Sequence, residues 1–402
     1  MDGGKGKPSL KELLTLPGTV IALGLVSFFT DASSEMIYPL IPLFLTEVLG
    51  ATPVALGLVE GVAEATASLL KALSGYASDR WEKRKPFVFA GYGLSALSRP
   101  LIGLAGSWPV VLLIRFADRV GKGVRTSPRD ALIADVTPRD RYGTAYSLHR
   151  ALDHAGAVVG PFVAWALLSG TTLSIRSVFL LAFIPGAASL LTIHLGVRET
   201  NRDREGKQMQ KRGKLSLSPL KNRSFFLYLS LLLLFTIGNG SDAFILLKIG
   251  KMSRQASFVP LFWGGFHVVK SLLSLPAGLL ADRWGRKKVV VSGWLSFSAA
   301  YLLFGLSRGT GGLIFSFLVY SLYYSLTEGV EKAIVAELVA EEERGTAFGL
   351  FHLTVGVGAL PASILFGFLW KTFGAESAFF VSSGLALLSA LLLSLLPLTR
   401  RA

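Results

Sequence analysis

Apolar stretches of about twenty residues recur along the whole chain, separated by short polar breaks rich in glycine, proline and basic residues. About twenty apolar residues are what an α-helix needs to cross the hydrocarbon of a bilayer. The pattern predicts twelve spans, at 18–47, 54–78, 87–106, 109–130, 143–169, 175–196, 224–247, 257–280, 288–306, 311–338, 345–371 and 376–396. Helix is the expectation even where charges interrupt a span, because an open strand in hydrocarbon leaves backbone N–H and C=O groups without partners. The first stretch, Gly18 to Leu45, is too long for the apolar core of a secretory signal and lacks a small-residue cleavage site, so it reads as a retained first helix.

Composition supports the membrane class: 51% of residues are hydrophobic and 17% charged, against about 25% charged in ordinary soluble domains. The net charge of +15 would suit nucleic acid, but the bases sit in short clusters between spans, so no nucleic-acid partner is expected. Lys5, Lys7 and Lys11 precede the first span, and alternate connections hold Arg80, Lys83, Arg84 and Lys85, then Arg139 and Arg141, then Arg283, Arg286, Lys287 and Lys288. The opposite connections carry only Arg176, Lys251, Arg254, Arg308 and Lys371. Basic loops face the cytoplasm, which predicts a multi-pass protein of the cytoplasmic (inner) membrane with both termini inside. Residues 198–223 hold nine bases against Glu199, Asp203 and Glu205 and no apolar run. They read as a basic cytoplasmic linker lying near anionic lipid headgroups, between six-helix bundles at 1–197 and 224–402.

A charge at mid-helix costs roughly 2.5–3.5 kcal/mol on insertion scales, so the ionisable residues inside these spans must face the bundle interior and serve a purpose. Asp31 and Glu35 lie one turn apart near the middle of the first span, and Glu60, Glu64 and Lys71 share a face of the second. Asp31, Glu35, Glu60 and Glu64 are the proton-coupling candidates, since burial favours the neutral carboxyl and nearby arginines the ionised one. Asp31 lies nearer the span's centre, whereas Glu35 is followed by Pro39 and Pro42 and suits an outer gate. Arg119 is a basic neighbour suited to hold the pair ionised in one state and release it in another. Candidates for the substrate cavity are Arg99, Arg115 and Arg119 in the first half and His267, Lys270 and Glu328 in the second. Toward the cytoplasm lie Lys122, Arg125, Arg129, Asp130, His149, Arg150, Asp153 and His154, where a gate network is expected; Glu328 and Lys332, one turn apart, have the spacing of a simple pair.

The two halves repeat. Gly75, Asp79, Arg80 and Trp81 recur 203 residues later as Gly278, Asp282, Arg283 and Trp284. Ala131, Ala134, Asp135, Gly143, Thr144, Ala145 and Tyr146 recur at an offset of 202 as Ala333, Ala336, Glu337, Gly345, Thr346, Ala347 and Phe348. In that register Arg129 and Asp130 correspond to Glu331 and Lys332 with exchanged signs, which suggests ion pairing across the pseudo-two-fold. The loop after the second span carries Gly75, Asp79, Arg80, Lys83 and Arg84, and the loop after the eighth Gly278, Asp282, Arg283, Gly285, Arg286 and Lys287. These match the G-x-x-x-D-R-x-G-R-R element of the major facilitator superfamily, which the chain therefore resembles; Glu82 stands where the first copy would have glycine. Gly156, Gly160 and Pro161 resemble part of the G-x-x-x-G-P element of proton-coupled drug antiporters and suit close helix packing. Arg115 matches the arginine of the family's R-x-x-Q-G element, with Asp118 and Arg119 replacing its last two residues.

The resemblance implies an all-α membrane protein of the major facilitator fold, with twelve transmembrane helices in two pseudo-symmetric six-helix bundles. It implies a cytoplasmic latch at Asp79 and Arg80, whose charges pair only while the cytoplasmic rim is closed. Arg84, Arg129, Asp130, Asp282, Arg283, Glu331 and Lys332 are expected in the same gate. The expected activity is secondary active transport of a small solute by alternating access, with proton-coupled export as the leading reading. A proton symporter working as an importer, an uncoupled facilitator and a non-transporting sensor are the alternatives. A cavity with both signs of charge suits a charged or zwitterionic solute, and Phe28, Phe29, Tyr38, Trp263, Phe266, Tyr320, Tyr323 and Tyr324 are available as aromatic walls. The expected partners are a small-molecule or ion substrate, protons and the lipid bilayer, with the chain acting as a monomer. No cofactor, metal or enzymatic reaction is expected: the chain has no cysteine, its in-span histidines His149, His154, His267 and His352 are scattered, and it carries no nucleophile elbow or phosphate loop.

Overall fold

A computed structural model describes residues 16–80, 84–138, 141–198, 218–253, 255–340 and 343–397, with the side chains of residues 72, 75–80 and 275 outside that description. Among the described residues the elements are helical throughout. They are α1 (Gly18–Ile37), α2 (Pro53–Arg80), α3 (Lys85–Ile102), α4 (Trp108–Val136), α5 (Tyr142–Gly170), α6a (Ile175–Leu181) and α6b (Phe183–Gly196). The rest are α7a (Arg223–Gly238), α7b (Ala243–Ser253), α8 (Phe258–Trp284), α9 (Arg286–Leu306), α10a (Thr310–Thr327), α10b (Val330–Leu338), α11 (Arg344–Phe373) and α12 (Ala375–Leu395).

Nine helices among the described residues are long and apolar enough to cross a membrane, and α8, bent by 42° between Ser274 and Pro276, makes a tenth if it counts as one span. The expectation of twelve therefore meets ten by length and composition. The remaining two, α3 and α4, fall short for a physical reason: α3 contains Lys85 and Arg99, and α4 contains Arg115, Asp118, Arg119, Lys122, Arg125, Arg129, Asp130 and Asp135. Apolarity fails where the charged chemistry is concentrated.

Local irregularities follow the sequence. After α1, Pro39 and Pro42 withhold N–H donors, and the chain passes through a 3-10 turn at Tyr38–Leu40 and a π-turn at Phe44–Val48. Asn222 caps α7a by accepting from the Ser224 and Phe225 amides. Gly285, between α8 and α9, has φ of 91°, a backbone conformation that side chains resist. That is why the second copy of the repeated loop carries glycine there. The first copy's Trp81, Glu82 and Lys83 lie outside the described residues.

The chain divides into two compact units. Unit 1 comprises Met1–Tyr38, Leu70–Ala105 and Leu113–Arg204, and one core cluster in it packs Val20, Leu23, Val26, Val88, Tyr92, Leu132, Ile133 and Ile193 together. Its helices approach through glycine: a Cβ on Gly156 would run into the Phe28 carbonyl oxygen and one on Gly160 into that of Ala32, so α5 lies directly on the backbone of α1. These are the glycines that the sequence marks as suited to close helix packing, and Pro161 is buried beside them.

Unit 2 comprises Pro39–Leu69, Gly106–Leu112 and Glu205–Ala402. Its centre is aromatic. Phe235 stacks on Trp294 at 4.5 Å and Phe297 on Tyr301 at 4.0 Å. Ser298 and Ser383 each donate to the other's backbone carbonyl, at 2.9 and 2.8 Å, fastening α9 to α12. Gly57 and Gly61 on α2 meet the Ser363 carbonyl and Leu360 of α11. This is a second small-xxx-small contact, and the spacing of four between the two glycines is its signal in the sequence.

Candidate functional site

Where α3 and α4 cross in unit 1, a Cβ on Gly91 would stand 2.7 Å from the Gly121 carbonyl oxygen, and one on Gly121 2.6 Å from that of Gly91. This backbone contact brings a set of charges together. Arg99, Arg115, Asp118 and Arg125 are all no more than 5% exposed. Asp118 is their hub: its Oδ1 accepts from Arg99 Nε at 3.2 Å and its Oδ2 lies 3.8 Å from Arg115 Nη1. Arg119, partly exposed, and Arg125 add their charge to the same carboxylate. The arginines are tied elsewhere too. Arg99 donates to the Thr30 carbonyl at 2.8 Å, Arg125 donates to Ser95 Oγ at 2.6 Å and lies 4.3 Å over the Tyr92 ring, and Arg115 lies 5.7 Å over Tyr38. Buried guanidinium groups need such multiple partners, because desolvation otherwise outweighs one Coulombic contact. The sequence reading treated Asp118 only as a replacement within the arginine element; its spacing of three from Arg115 was the available signal.

Asp31 on α1 does not have Arg119 as its principal neighbour. Its carboxyl faces that of Asp153 on α5, with Glu35 and Lys122 in the surrounding field. An ionised carboxylate is an acceptor only, so two carboxyl groups share a hydrogen bond when one of them keeps a proton. Asp153 also lies 3.7 Å from Arg150. Beside this pair, Ser27 Oγ is 2.9 Å from His149 Nε2 and accepts from Arg129 at 3.3 Å, while Arg129 donates through Nε and Nη2 to Asp130 Oδ1 at 2.9 and 2.8 Å. Asp31, which the sequence places among the proton-coupling candidates, thus lies beside residues that it places in the gate.

In unit 2 the charged residues are set among rings. Between α7a and α7b the run Asn239, Gly240, Ser241 and Asp242 interrupts the helix. Tyr301 donates to the Gly240 carbonyl at 3.2 Å, and Asn239 donates to Tyr323 at 3.1 Å. Asp242 at the start of α7b accepts from the hydroxyls of Tyr320 and, at 3.0 Å, Tyr324. Lys270 Nζ is 2.8 Å from Glu328 Oε2 and lies 4.9 Å over the Tyr324 ring. Glu328 therefore has Lys270 as a partner, in addition to the one-turn spacing to Lys332 that the sequence emphasised; Lys332 itself is exposed. His267 is buried against Trp263 and Phe266, at ring separations of 5.0 and 5.3 Å. Glu331 accepts from the Trp294 indole at 2.9 Å. Glu60 is buried and Glu64 exposed, so the second-span carboxylates sit in different surroundings. Asp242 lies outside the cavity candidates read from the sequence, although N-G-S-D inside an apolar span is the signal that marks it.

The repeated loops are described in part. The side chains of Asp79 and Arg80 lie outside the described residues, and Asp282 and Arg283 are exposed. Arg84 is 2.6 Å from Asp135, and Arg286 is 3.1 Å from Glu337. Arg129 and Glu331 each have a partner within their own unit, Asp130 and Trp294. Among the described residues no group of three or more His, Asp or Glu is placed to hold a metal ion.

Comparison with known proteins gives a consistent picture. The family model described as Major Facilitator Superfamily matches residues 23–266 and 253–402. The chain is 34% identical over 384 residues, 94% of each protein, to an uncharacterized MFS-type transporter of Methanocaldococcus jannaschii. It is 26% identical over 363 residues to the multidrug resistance protein MdtH of Proteus mirabilis, covering 87% of this chain and 84% of that one. The crystal structure of the nucleoside transporter NupG superposes with a TM-score of 0.79 at 14% identity, covering 94% of this chain and 98% of that one.

Proposed function

Because the chain belongs to the major facilitator superfamily, whose members are membrane carriers and not enzymes, we propose that it exports a small charged solute in exchange for protons by alternating access. The observation that carries this reading is the carboxyl pair of Asp31 and Asp153 joining α1 to α5. A proton shared between two helices is held only while they keep their spacing, so a movement that separates Asp31 from Asp153 changes proton affinity. Lys122 in the same field supplies the countercharge once the proton leaves. A proton falling through 100 mV delivers about 2.3 kcal/mol, and tenfold accumulation needs about 1.4 kcal/mol, so one proton per cycle is sufficient for a zwitterion without net charge. For a monovalent cation exchanged for one proton the membrane potential cancels, and the pH difference, about 1.4 kcal/mol per unit, is the driving force.

Export is favoured over import by the multidrug resistance protein among the relatives and by the glycine contact of α5 on α1, which coincides with the antiporter-like element at Gly156, Gly160 and Pro161. In this reading residues 1–197 and 224–402 are the two moving halves, 198–223 is their cytoplasmic tether, and Asp79, Arg80, Asp282 and Arg283 close the cytoplasmic rim of a monomer in the inner membrane. The test is proton flux in liposomes on addition of a solute found by thermal-shift screening. Solute and protons moving in opposite directions support the reading. Parallel movement makes the protein a symporter, and solute movement without proton flux makes it an uncoupled facilitator.

A further inference from the structure

Unit 2 contains a positively charged nitrogen already seated in a recognition site. The Lys270 ammonium is 2.8 Å from Glu328 Oε2 and 4.9 Å over the face of Tyr324. The hydroxyl of that same Tyr324 holds a second carboxylate, Asp242, at 3.0 Å, and Tyr320 holds its other oxygen. Phe266 packs edge-on to Tyr324 at 5.4 Å and stacks on Tyr320 at 5.8 Å, so the carboxylate is set in an aromatic wall. A carboxylate beside aromatic faces is the arrangement that recognises ammonium and guanidinium groups, and the attraction grows when water is excluded. The backbone supports the assignment. Helix seven is interrupted at Asn239–Asp242, and irregular backbone at membrane depth is tolerated where it is buried in protein or lines a cavity.

We propose that Asp242 and the face of Tyr324 bind the positively charged nitrogen of the solute, and that Lys270 is a tethered competitor for this place. The proposal deepens the reading of the chain as a carrier by naming the chemical class of the solute, an organic cation or an amine-bearing zwitterion. Glu328 pairs with the Lys270 ammonium, and that ammonium covers the ring whose hydroxyl holds Asp242, so its charge also reaches Asp242. A solute cation arriving at Asp242 leaves Lys270 to Glu328 alone, and its departure lets Lys270 cover Tyr324 again. An empty carrier is thereby kept from leaving a bare carboxylate in the membrane.

The experiment measures binding to the purified full-length protein in detergent, with no gradient, so its outcome is independent of whether transport is coupled or which way it runs. The probes are tetramethylammonium and methylguanidinium, against sodium and acetate at the same ionic strength, read by calorimetry and by the fluorescence of the tryptophans, Trp263 being stacked on Phe266 at 4.8 Å. Wild type is expected to bind the organic cations and neither control, and Asp242→Asn to weaken that binding by about tenfold or more. Lys270→Gln is the decisive variant: removing a competitor tightens cation binding several-fold, whereas removing a structural pillar weakens it. Tyr324→Phe keeps the ring and loses the hydroxyl, and is expected to weaken binding less than Asp242→Asn. Unfolding midpoints establish that each variant is folded, and Asp242→Glu is used in place of Asp242→Asn if the latter is not. Preference for acetate, absence of cation binding in the folded wild type, or weaker binding in folded Lys270→Gln overturns the proposal.

Discussion

Unit 1 and unit 2 contain the same ion pair in different solvent. Arg84, at the start of α3, lies 2.6 Å from Asp135 near the end of α4, with side chains 9% and 14% exposed; Arg286, at the start of α9, lies 3.1 Å from Glu337 of α10b, both 37% exposed. Asp135 and Glu337 are equivalent in the repeat at an offset of 202, and Arg84 and Arg286 both come from the basic residues that close the repeated loop, one position apart in its register, so the contact recurs with the repeat. Burial is what has diverged. Breaking a buried pair by removing one partner costs about 3–5 kcal/mol, because the other charge is left without water, while an exposed pair contributes about 0–1 kcal/mol. The contrast extends inward: unit 1 buries interlocking charges around Asp118, and unit 2 surrounds fewer charges with rings. On the proposed function, the buried charges of unit 1 are the ones a proton would perturb and the aromatic faces of unit 2 the ones a solute would meet.

The largest expected effect is at the hub of unit 1. Asp118→Asn leaves Arg99 and Arg115 without their carboxylate and is expected to lower stability by about 3–5 kcal/mol, read as a fall in the thermal unfolding midpoint of the purified protein. Its counterpart Asp242→Asn keeps an acceptor for the Tyr320 and Tyr324 hydroxyls and should cost about 1–3 kcal/mol. Equal losses would remove the distinction between the units. Next come the repeated pairs themselves: Asp135→Ala is expected to destabilise by about 3 kcal/mol and Glu337→Ala by no more than about 1 kcal/mol. A Glu337→Ala loss as large as that of Asp135→Ala would show that exposure does not set their worth. The smallest effect is that of salt, since at about 1 M the Debye length falls to about 3 Å. The destabilisation by Glu337→Ala should then vanish, and that by Asp135→Ala should largely persist.

Helix positions, the basic loops and the glycine contact at Gly156 and Gly160 were legible in the sequence because each depends on local spacing or on small residues at fixed intervals. The partners were not. Asp31 and Asp153 are 122 residues apart, and nothing in the first helix announces the fifth as its neighbour. Glu328 and Lys332 looked like a pair on helical spacing, yet the fold carries Lys270 of another helix to within 2.8 Å of Glu328. Asp118 was hidden by the opposite difficulty. It stands in a motif position that the family fills with glutamine, so it read as a departure from pattern, when the structure makes it the acceptor that the surrounding arginines require.

The central claim, that the Asp31–Asp153 pair carries the coupling proton, is tested most directly by solute accumulation in liposomes with and without an imposed pH gradient, in wild type and Asp31→Asn. Asparagine keeps the shape and can donate a hydrogen bond to Asp153 but cannot take up or release a proton there. The account predicts that Asp31→Asn retains solute binding and downhill exchange and loses accumulation driven by the gradient. A variant that still concentrates solute as wild type does would contradict it.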